Sequence, residues 1–527
     1  MMATTLGDII AALWKAAGTF RGTIDAANYK DYVLSMLFIK YLDDTYAEME
    51  EQIDEKYNGM DVQNIEERIK REKGRLPIKL TPECRFSYLF EHRFDINIGV
   101  LMNEAKQKIE DANTELTGVF RSLDFNSEAM LGNPQQKATT LRNLLEDFAP
   151  LNLRPSSIEV PAGKDSADVI GDAYEYMIGE FASEAGKKAG SFFTPTQVSE
   201  LMAHLTSPEK DNKIYDPTCG SASLLIRAAK VPGPQYVAIY GQEKNGSSWS
   251  MARMNLFIHG IHGASIKWGD SLADPQHLDA DGNLMQFDVI VANMPFSLDK
   301  WAEGFNPGGE QANDQKKFAM TANLDRFHRF DWGVPPSSKG DWAFLLHMLY
   351  SLKAGGRMAA VVPHGVLFRG ASEGRIRQTV IEKNLLDAVI GLPVNLFYGT
   401  SIPACILVFK KNRTTEDVLF IDASGKDENG VLRYDKMKNQ NALAPKHIAA
   451  ILDAYNARTE QLKFAHIATR EEIQGNDYNL NIPRYVDTFE EEPLVDIEEV
   501  QQNIARIQGE LATVEAEMAE ILKGLGL

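Results

Sequence analysis

From Lys213 to Lys410 the chain alternates short apolar runs with stretches of helical pattern, and no other feature restricts its fold so strongly. The runs Lys213–Tyr215, Val237–Gly241, Val289–Ala292, Met358–Val362, Ala388–Gly391 and Ala404–Phe409 are too short for helices and read as strands. Strands separated by helices need crossover connections, which predicts a largely parallel sheet with helices on both faces. Such sheets bind ligands beyond the carboxyl ends of their strands. The residues that end the strands are therefore the ones that carry information.

Two of these ends stand out. Asp216-Pro-Thr-Cys-Gly-Ser-Ala222 follows Lys213-Ile-Tyr, and Asn293-Met-Pro-Phe296 follows Phe287-Asp-Val-Ile-Val-Ala. In the first, Gly220 suits the positive φ of a tight turn, and the loop's Thr218, Gly220 and Ser221 can approach a small polar ligand. In the second, the Asn293 side-chain oxygen and the Met294 carbonyl are two acceptors for one NH2 group. Pro295 shapes the turn, and Phe296 offers a flat face to a planar substrate. Drawing both N–H bonds toward acceptors directs the amine lone pair at an incoming group, so proximity supplies much of the rate. The pair fits a nucleotide-like cofactor facing an amino group, the arrangement for methyl transfer from S-adenosylmethionine.

Other strand ends extend that reading. Glu243, just past Val237–Gly241, can accept from ribose hydroxyls, and Asp270, after Ile266-Lys-Trp-Gly, can accept from an adenine amine. Upstream, Phe193-Thr-Pro195 precedes a helix with Thr194 as N-cap and Pro195 at its first position. Phe193 and Thr194 are placed to close over the cofactor's methionine end. Asn395-Leu-Phe-Tyr-Gly-Thr-Ser401 reads as a wall of a base pocket or as ordinary packing. Asp325-Arg-Phe-His-Arg-Phe330 lies in a polar stretch, Leu298–Lys339, that reads as a long loop. No Gly-x4-Gly-Lys-Ser/Thr phosphate loop and no nuclease carboxylate–lysine cluster is present, and His259-Gly-Ile-His262 lacks a third metal ligand. No metal is expected.

Around this centre the chain divides into three: a helical segment 1–155, the α/β segment 156–480, and a tail 481–527. Leu34, Leu37, Phe38, Tyr41 and Leu42 recur at helical spacing, and Pro150-Leu-Asn-Leu-Arg-Pro-Ser-Ser157 has boundary composition. Asn28-Tyr-Lys-Asp-Tyr-Val-Leu34 is either core and solvated face or a surface for DNA or a partner. Ile497, Val500, Ile504, Ile507, Leu511, Val514, Met518 and Ile521 form a heptad seam that wants a helix beside it, from this chain or another. Three scattered cysteines, Cys84, Cys219 and Cys405, argue against a disulfide framework and for a reducing cytoplasm. No apolar run is long enough for a membrane span, and Met1–Asp8 has no signal-peptide pattern. Acidic residues outnumber basic ones 74 to 55, for a net charge of −19. A protein that grips DNA alone usually shows a basic footprint.

Together the motifs resemble those of the modification (methyltransferase) subunit of type I restriction–modification systems, over almost the whole chain. The resemblance rests on the Gly171-Asp-Ala-Tyr-Glu-Tyr-Met-Ile-Gly-Glu-Phe181 helix, Phe193-Thr-Pro195, Asp216–Gly220, Asn293–Phe296 and Asn479-Leu-Asn-Ile-Pro-Arg-Tyr485. It implies a Rossmann-like S-adenosylmethionine-dependent fold with a helical N-terminal domain and a coiled-coil-like C-terminal helix. It also implies N6-adenine methylation of DNA, with the target base flipped out of the duplex. Two such subunits join one specificity subunit that reads the bases, and a motor-nuclease subunit can join them; a partner that helps hold the duplex answers the charge. Many relatives carry glycine where this chain has Ala222, and proline where it has Met294. On the residues alone, cytosine N4 or a protein glutamine amide suits the Asn-x-Pro-aromatic turn equally, and a weakly catalytic assembly subunit is a rival of another class.

Overall fold

The computed structural model describes residues 3–60, 64–185, 194–305, 319–397, 400–427, 429–438, 440–487 and 497–524. The chain divides into two units, Met1–Val486 and Asp487–Leu527.

The first unit opens with helices α1 (Leu6–Phe20), α2 (Ala26–Tyr57), α3 (Ile65–Lys73), α4 (Phe86–Glu91), α5 (Ile98–Ala112), α6 (Glu128–Leu131) and α7 (Pro134–Phe148). Their starts are set locally. Thr5 accepts from the Asp8 N–H while the Asp8 carboxylate accepts from the Thr5 N–H, and Asn133 and Gln136 repeat the exchange ahead of Pro134. Leu34, Leu37, Phe38, Tyr41 and Leu42 are all buried. Their core runs past the expected boundary at residue 155. It takes in Val169, Ile170, Tyr174 and Met177 of α8 (Ser166–Ala185), and also Met254 and Phe257 from farther along the chain.

After α9 (Thr196–Thr206) comes a nine-stranded sheet. Its strands are β1 (Lys213–Asp216), β2 (Ala238–Glu243), β3 (Ser265–Trp268), β4 (Phe287–Asn293), β5 (Leu352–Pro363), β6 (Leu386–Gly391), β7 (Ala404–Lys410), β8 (Val418–Asp422) and β11 (Ala465–Ala468); β9 (Asp435–Lys436) and β10 (Asn441–Ala442) form a separate ribbon. Across the sheet the order is β3-β2-β1-β4-β5-β7-β6-β8-β11. The first five pair in parallel, and β7 is antiparallel to both of its neighbours.

The central strands are buried on both faces because their residues alternate between two cores. Val289, Val291, Ala359 and Val361 face one side, with α9, α10 (Ser223–Lys230) and α11 (Gly246–Ile258) packed over it. Ile290, Ala292, Met358 and Ala360 face the other, under α12 (Asp341–Tyr350). Helices α13 (Gly365–Phe368), α14 (Ala371–Glu382), α15 (Pro445–Ala457) and α16 (Arg470–Gly475) complete the cover. Among the described residues no helix is long and apolar enough to cross a membrane.

In the second unit, α17 (Ile497–Gly524) is one uninterrupted helix, and its seam residues Val500, Ile504, Ile507, Leu511, Val514, Met518 and Ile521 are all exposed.

Candidate active site

Strand order reverses between β1 and β4, which pair with Ile214 opposite Val289 and Tyr215 opposite Ile290. This switch point sets Asp216 and Asn293 side by side at the ends of neighbouring strands, where an open α/β sheet leaves a crevice.

The turn after β1 is fastened at almost every residue. Asp216 is 1% exposed, and its Oδ1 accepts from the Thr218 N–H at 2.8 Å. The Cys219 N–H donates to the Gln242 carbonyl at 3.1 Å, and the Gly220 N–H donates to Glu243 Oε2 at 2.9 Å. Gly220 has φ +53° with open space where a Cβ would stand, so the backbone itself faces the crevice. Ala222 also adopts a left-handed φ of +65° and carries the strain glycine would avoid. Burial, reinforced by the nearby Glu243 charge, pushes the Asp216 carboxyl up to about 8 against two opposing hydrogen bonds from Thr218, one from its N–H and one from its hydroxyl.

The turn after β4 is held differently. Asn293 is buried, and its Nδ2 donates to Thr194 Oγ1 at 3.0 Å. Thr194 thus lies one residue ahead of its expected capping position. Helix α9 starts at Thr196 with Pro195 at the cap and no side-chain cap bond, since a proline side chain has no acceptor to offer, and the Thr194 hydroxyl accepts from Asn293 instead. Met294 is fully buried beneath the turn, Pro295 is partly buried, and Phe296 packs edge-on to Phe397 with centroids 6.0 Å apart.

Thr194, Asp216, Thr218, Gly220, Ser221 and Asn293 line one cavity of about 330 Å3, within the size range of small-molecule sites. Two buried oxygens on its wall, Asp216 Oδ2 and Asn293 Oδ1, have no hydrogen-bond partner among the described residues. Glu243 braces the cavity from outside, accepting also from the Asn245 N–H at 2.7 Å. Asp270 is not brought to the lining. Its Oδ1 accepts from the N–H groups of Leu272 and Ala273, and its Oδ2 from Lys244, so it serves a turn and a surface ion pair. Phe193 lies outside the described residues, as do Tyr398 and Gly399 of the Asn395–Ser401 stretch.

Three other segments singled out in the sequence have defined surroundings. Within Asp325–Phe330, Asp325 and Arg329 form a fully buried ion pair and Phe330 joins the core, so half of this apparent loop is structural. His259 packs beside Asp168 rather than in a metal site, and no group of three or more metal-ligating side chains occurs among the described residues. The far wall of the cavity comes from α2. Asn28, Lys30 and Asp31 face it, with Lys30 Nζ donating to Ser247 Oγ and Asp31 Oδ1, each at 2.6 Å. The sequence left Asn28–Leu34 as core and solvated face or as a surface for DNA or a partner; the signal for a cavity wall was a polar cluster opening an otherwise apolar helix.

The N-6 DNA methylase family matches residues 165–493, and the HsdM N-terminal domain matches residues 9–148. The chain belongs to the methyltransferase subunits of type I restriction–modification systems. It is 32% identical to the type I restriction enzyme MpnII methylase subunit of Mycoplasma pneumoniae, over 97% of this chain and 95% of that one. It is 31% identical to the HindI methylase subunit of Haemophilus influenzae, over 81% of this chain and 92% of that one. The crystal structure of a type I methyltransferase subunit from Streptococcus thermophilus superimposes with a TM-score of 0.75 at 37% identity, covering 92% of this chain and all of the other. As a modification subunit of this family, the chain is a site-specific adenine DNA methyltransferase. Its largely parallel α/β sheet, expected from the sequence, has the fold of that type I methyltransferase subunit.

Proposed function

We propose that the crevice between β1 and β4 holds S-adenosylmethionine on the β1 side and a flipped adenine of duplex DNA on the β4 side. The single observation that carries this is the pair of partnerless buried oxygens, Asp216 Oδ2 and Asn293 Oδ1, on one cavity wall. Buried acceptors are ordinarily paired, so their vacancies suit donors that arrive with ligands. Asp216 suits the cofactor's ammonium group, the open backbone at Gly220 and Ser221 its methionine portion, and the remaining lone pairs of Glu243 its ribose hydroxyls. When bound, the cofactor supplies an electrophilic methyl group on a sulfonium centre.

The Asn293 carbonyl oxygen and the Met294 carbonyl accept from the adenine N6 hydrogens, turning the nitrogen lone pair toward the methyl. Thr194 supports this by accepting from the Asn293 amide, which leaves the amide oxygen for the substrate. Phe296, backed by Phe397, stacks on the flipped base, whose extrusion costs roughly a few kcal/mol. The target sequence is chosen by a specificity subunit, two modification subunits to one, with the exposed seam of α17 as the docking helix and a motor-nuclease subunit joining the complex. The sharing of the duplex with a partner accounts for the net charge of −19.

The test is tritiated methyl transfer to plasmid DNA by this chain alone and with the specificity subunit encoded beside it, followed by nucleoside analysis. N6-methyladenine formed only with the partner is the expected result. Transfer to cytosine N4, or to protein and not to DNA, overturns the assignment. Deleting residues 496–527 should abolish co-elution with the specificity subunit on size exclusion while leaving cofactor binding intact.

A further inference from the structure

Helix α8 carries three carboxylates, Asp168, Asp172 and Glu175, at spacings that place them on one face. Each meets a cation of α10, the helix that begins at the glycine turn. Asp168 pairs with Lys230, Asp172 with Arg227 at 3.5 Å, and Glu175 with Arg227 at 2.6 Å. Gly171 lets α8 come this close. A Cβ there would lie 2.3 Å from the His259 ring at the end of α11. Further along the same helix, Ile178, Phe181 and Ala182 line the cavity itself.

Glu175 is 2% exposed, and its other oxygen accepts from Asn255 Nδ2 at 3.3 Å. Asn255, on α11, is completely buried, and the same Nδ2 donates to the Ser221 carbonyl at 2.9 Å. Two acceptors on one side fix the amide's orientation and leave its Oδ1 buried without a partner. The sheet fastens Cys219 and Gly220 through Gln242 and Glu243; Ser221, the next residue, is fastened from the helical layer.

We propose that Glu175 and Asn255 are positioning residues for the cofactor turn, holding the Ser221 carbonyl and so tying the backbone that faces the cavity to the helical N-terminal layer through α8. This gives the Gly171–Phe181 stretch a role that the two strand-end motifs leave unexplained. The inference rests on the reading that the cavity holds S-adenosylmethionine.

Isothermal titration of the full chain with S-adenosylmethionine tests it, with melting temperature measured in parallel without cofactor and kcat measured in the assembled complex. Asn255→Ala and Glu175→Ala should each raise Kd about tenfold, and the double variant should be no worse than either single one. At saturating cofactor kcat should change less than about threefold. Glu175→Gln keeps an oxygen for Asn255 and should restore Kd to within about threefold of the original. Variants that melt earlier yet bind with unchanged Kd would show a merely structural role and overturn the proposal. If Asn255→Ala does not fold, the contrast between Glu175→Ala and Glu175→Gln decides, equal affinities counting against it. Failure of the unaltered chain to bind overturns the cofactor reading, and this inference with it.

Discussion

The turns after β1 and β4 sit on adjacent strands of one sheet, yet they are built on opposite plans. Asp216–Ala222 is tied residue by residue to β2, to Glu243 and to α11. Asn293 has one side-chain bond, to Thr194, and an oxygen with none. On the proposed reading, the difference separates two tasks. A turn that binds cofactor in every cycle gains from rigidity in advance. A turn that must grip an amine only at the moment of attack gains from an acceptor kept dry and unoccupied.

The largest effect should come from filling or removing that acceptor. Asn293→Ala is expected to lower single-turnover transfer by about 100-fold or more while cofactor affinity by titration stays within about twofold. Loss of both together would mean that the two turns are not separable. Next, Asp216→Asn should weaken the cofactor about tenfold and flatten the pH dependence of its affinity. With the carboxyl pushed up to about 8, binding a cation requires loss of its proton, so affinity in the original chain should rise from pH 6 to 8 and level off above. The stability of the free chain should run the other way. Between the unfolded carboxylate range and about 8 the folded chain holds a proton that the unfolded chain has released, so stability falls as pH rises across that window. Calorimetry of Asp216→Asn should show this slope reduced.

Thr194→Val sharpens the comparison further. It removes the one side-chain bond that Asn293 makes among the described residues without touching the β1 turn, and should cost a few-fold to about tenfold in kcat with little change in cofactor affinity. The smallest effect belongs to Ala222→Gly. Relief of left-handed strain and the added freedom of glycine nearly cancel, leaving stability within about 1 kcal/mol. A tenfold loss of cofactor affinity in that variant would show that the Ala222 methyl group is itself part of the site.

How much of this was legible in the sequence depended on distance along the chain. Asp216, Gly220 and Asn293 announce themselves because strand and turn are local, and the runs around Val289, Met358 and Ala404 became strands as read. The direction of β7 was not legible, since an apolar run does not say which way it points; pairing with both β5 and β6 decides it. Nor was the Asn255 amide. A buried asparagine amid Met254, Leu256 and Phe257 reads as an interruption of packing until Glu175 and Ser221 meet it. Nor were the protein partners of Asp270: a strand-end carboxylate fits the cofactor pattern by position, and Lys244 and two backbone N–H groups bond it besides.

The α2 wall has a consequence for the birth of the protein. Asn28, Lys30 and Asp31 leave the ribosome early, but the Ser247 hydroxyl and the Asn293 amide that share their cavity follow more than 200 residues later. At ordinary rates of synthesis that interval is on the order of tens of seconds. Throughout it Lys30 and Asp31 wait without Ser247, and the helical layer waits for the Met254 and Phe257 that complete its core. The nascent chain therefore has no complete cavity until β4 has been made, and methyl transfer is beyond it before then.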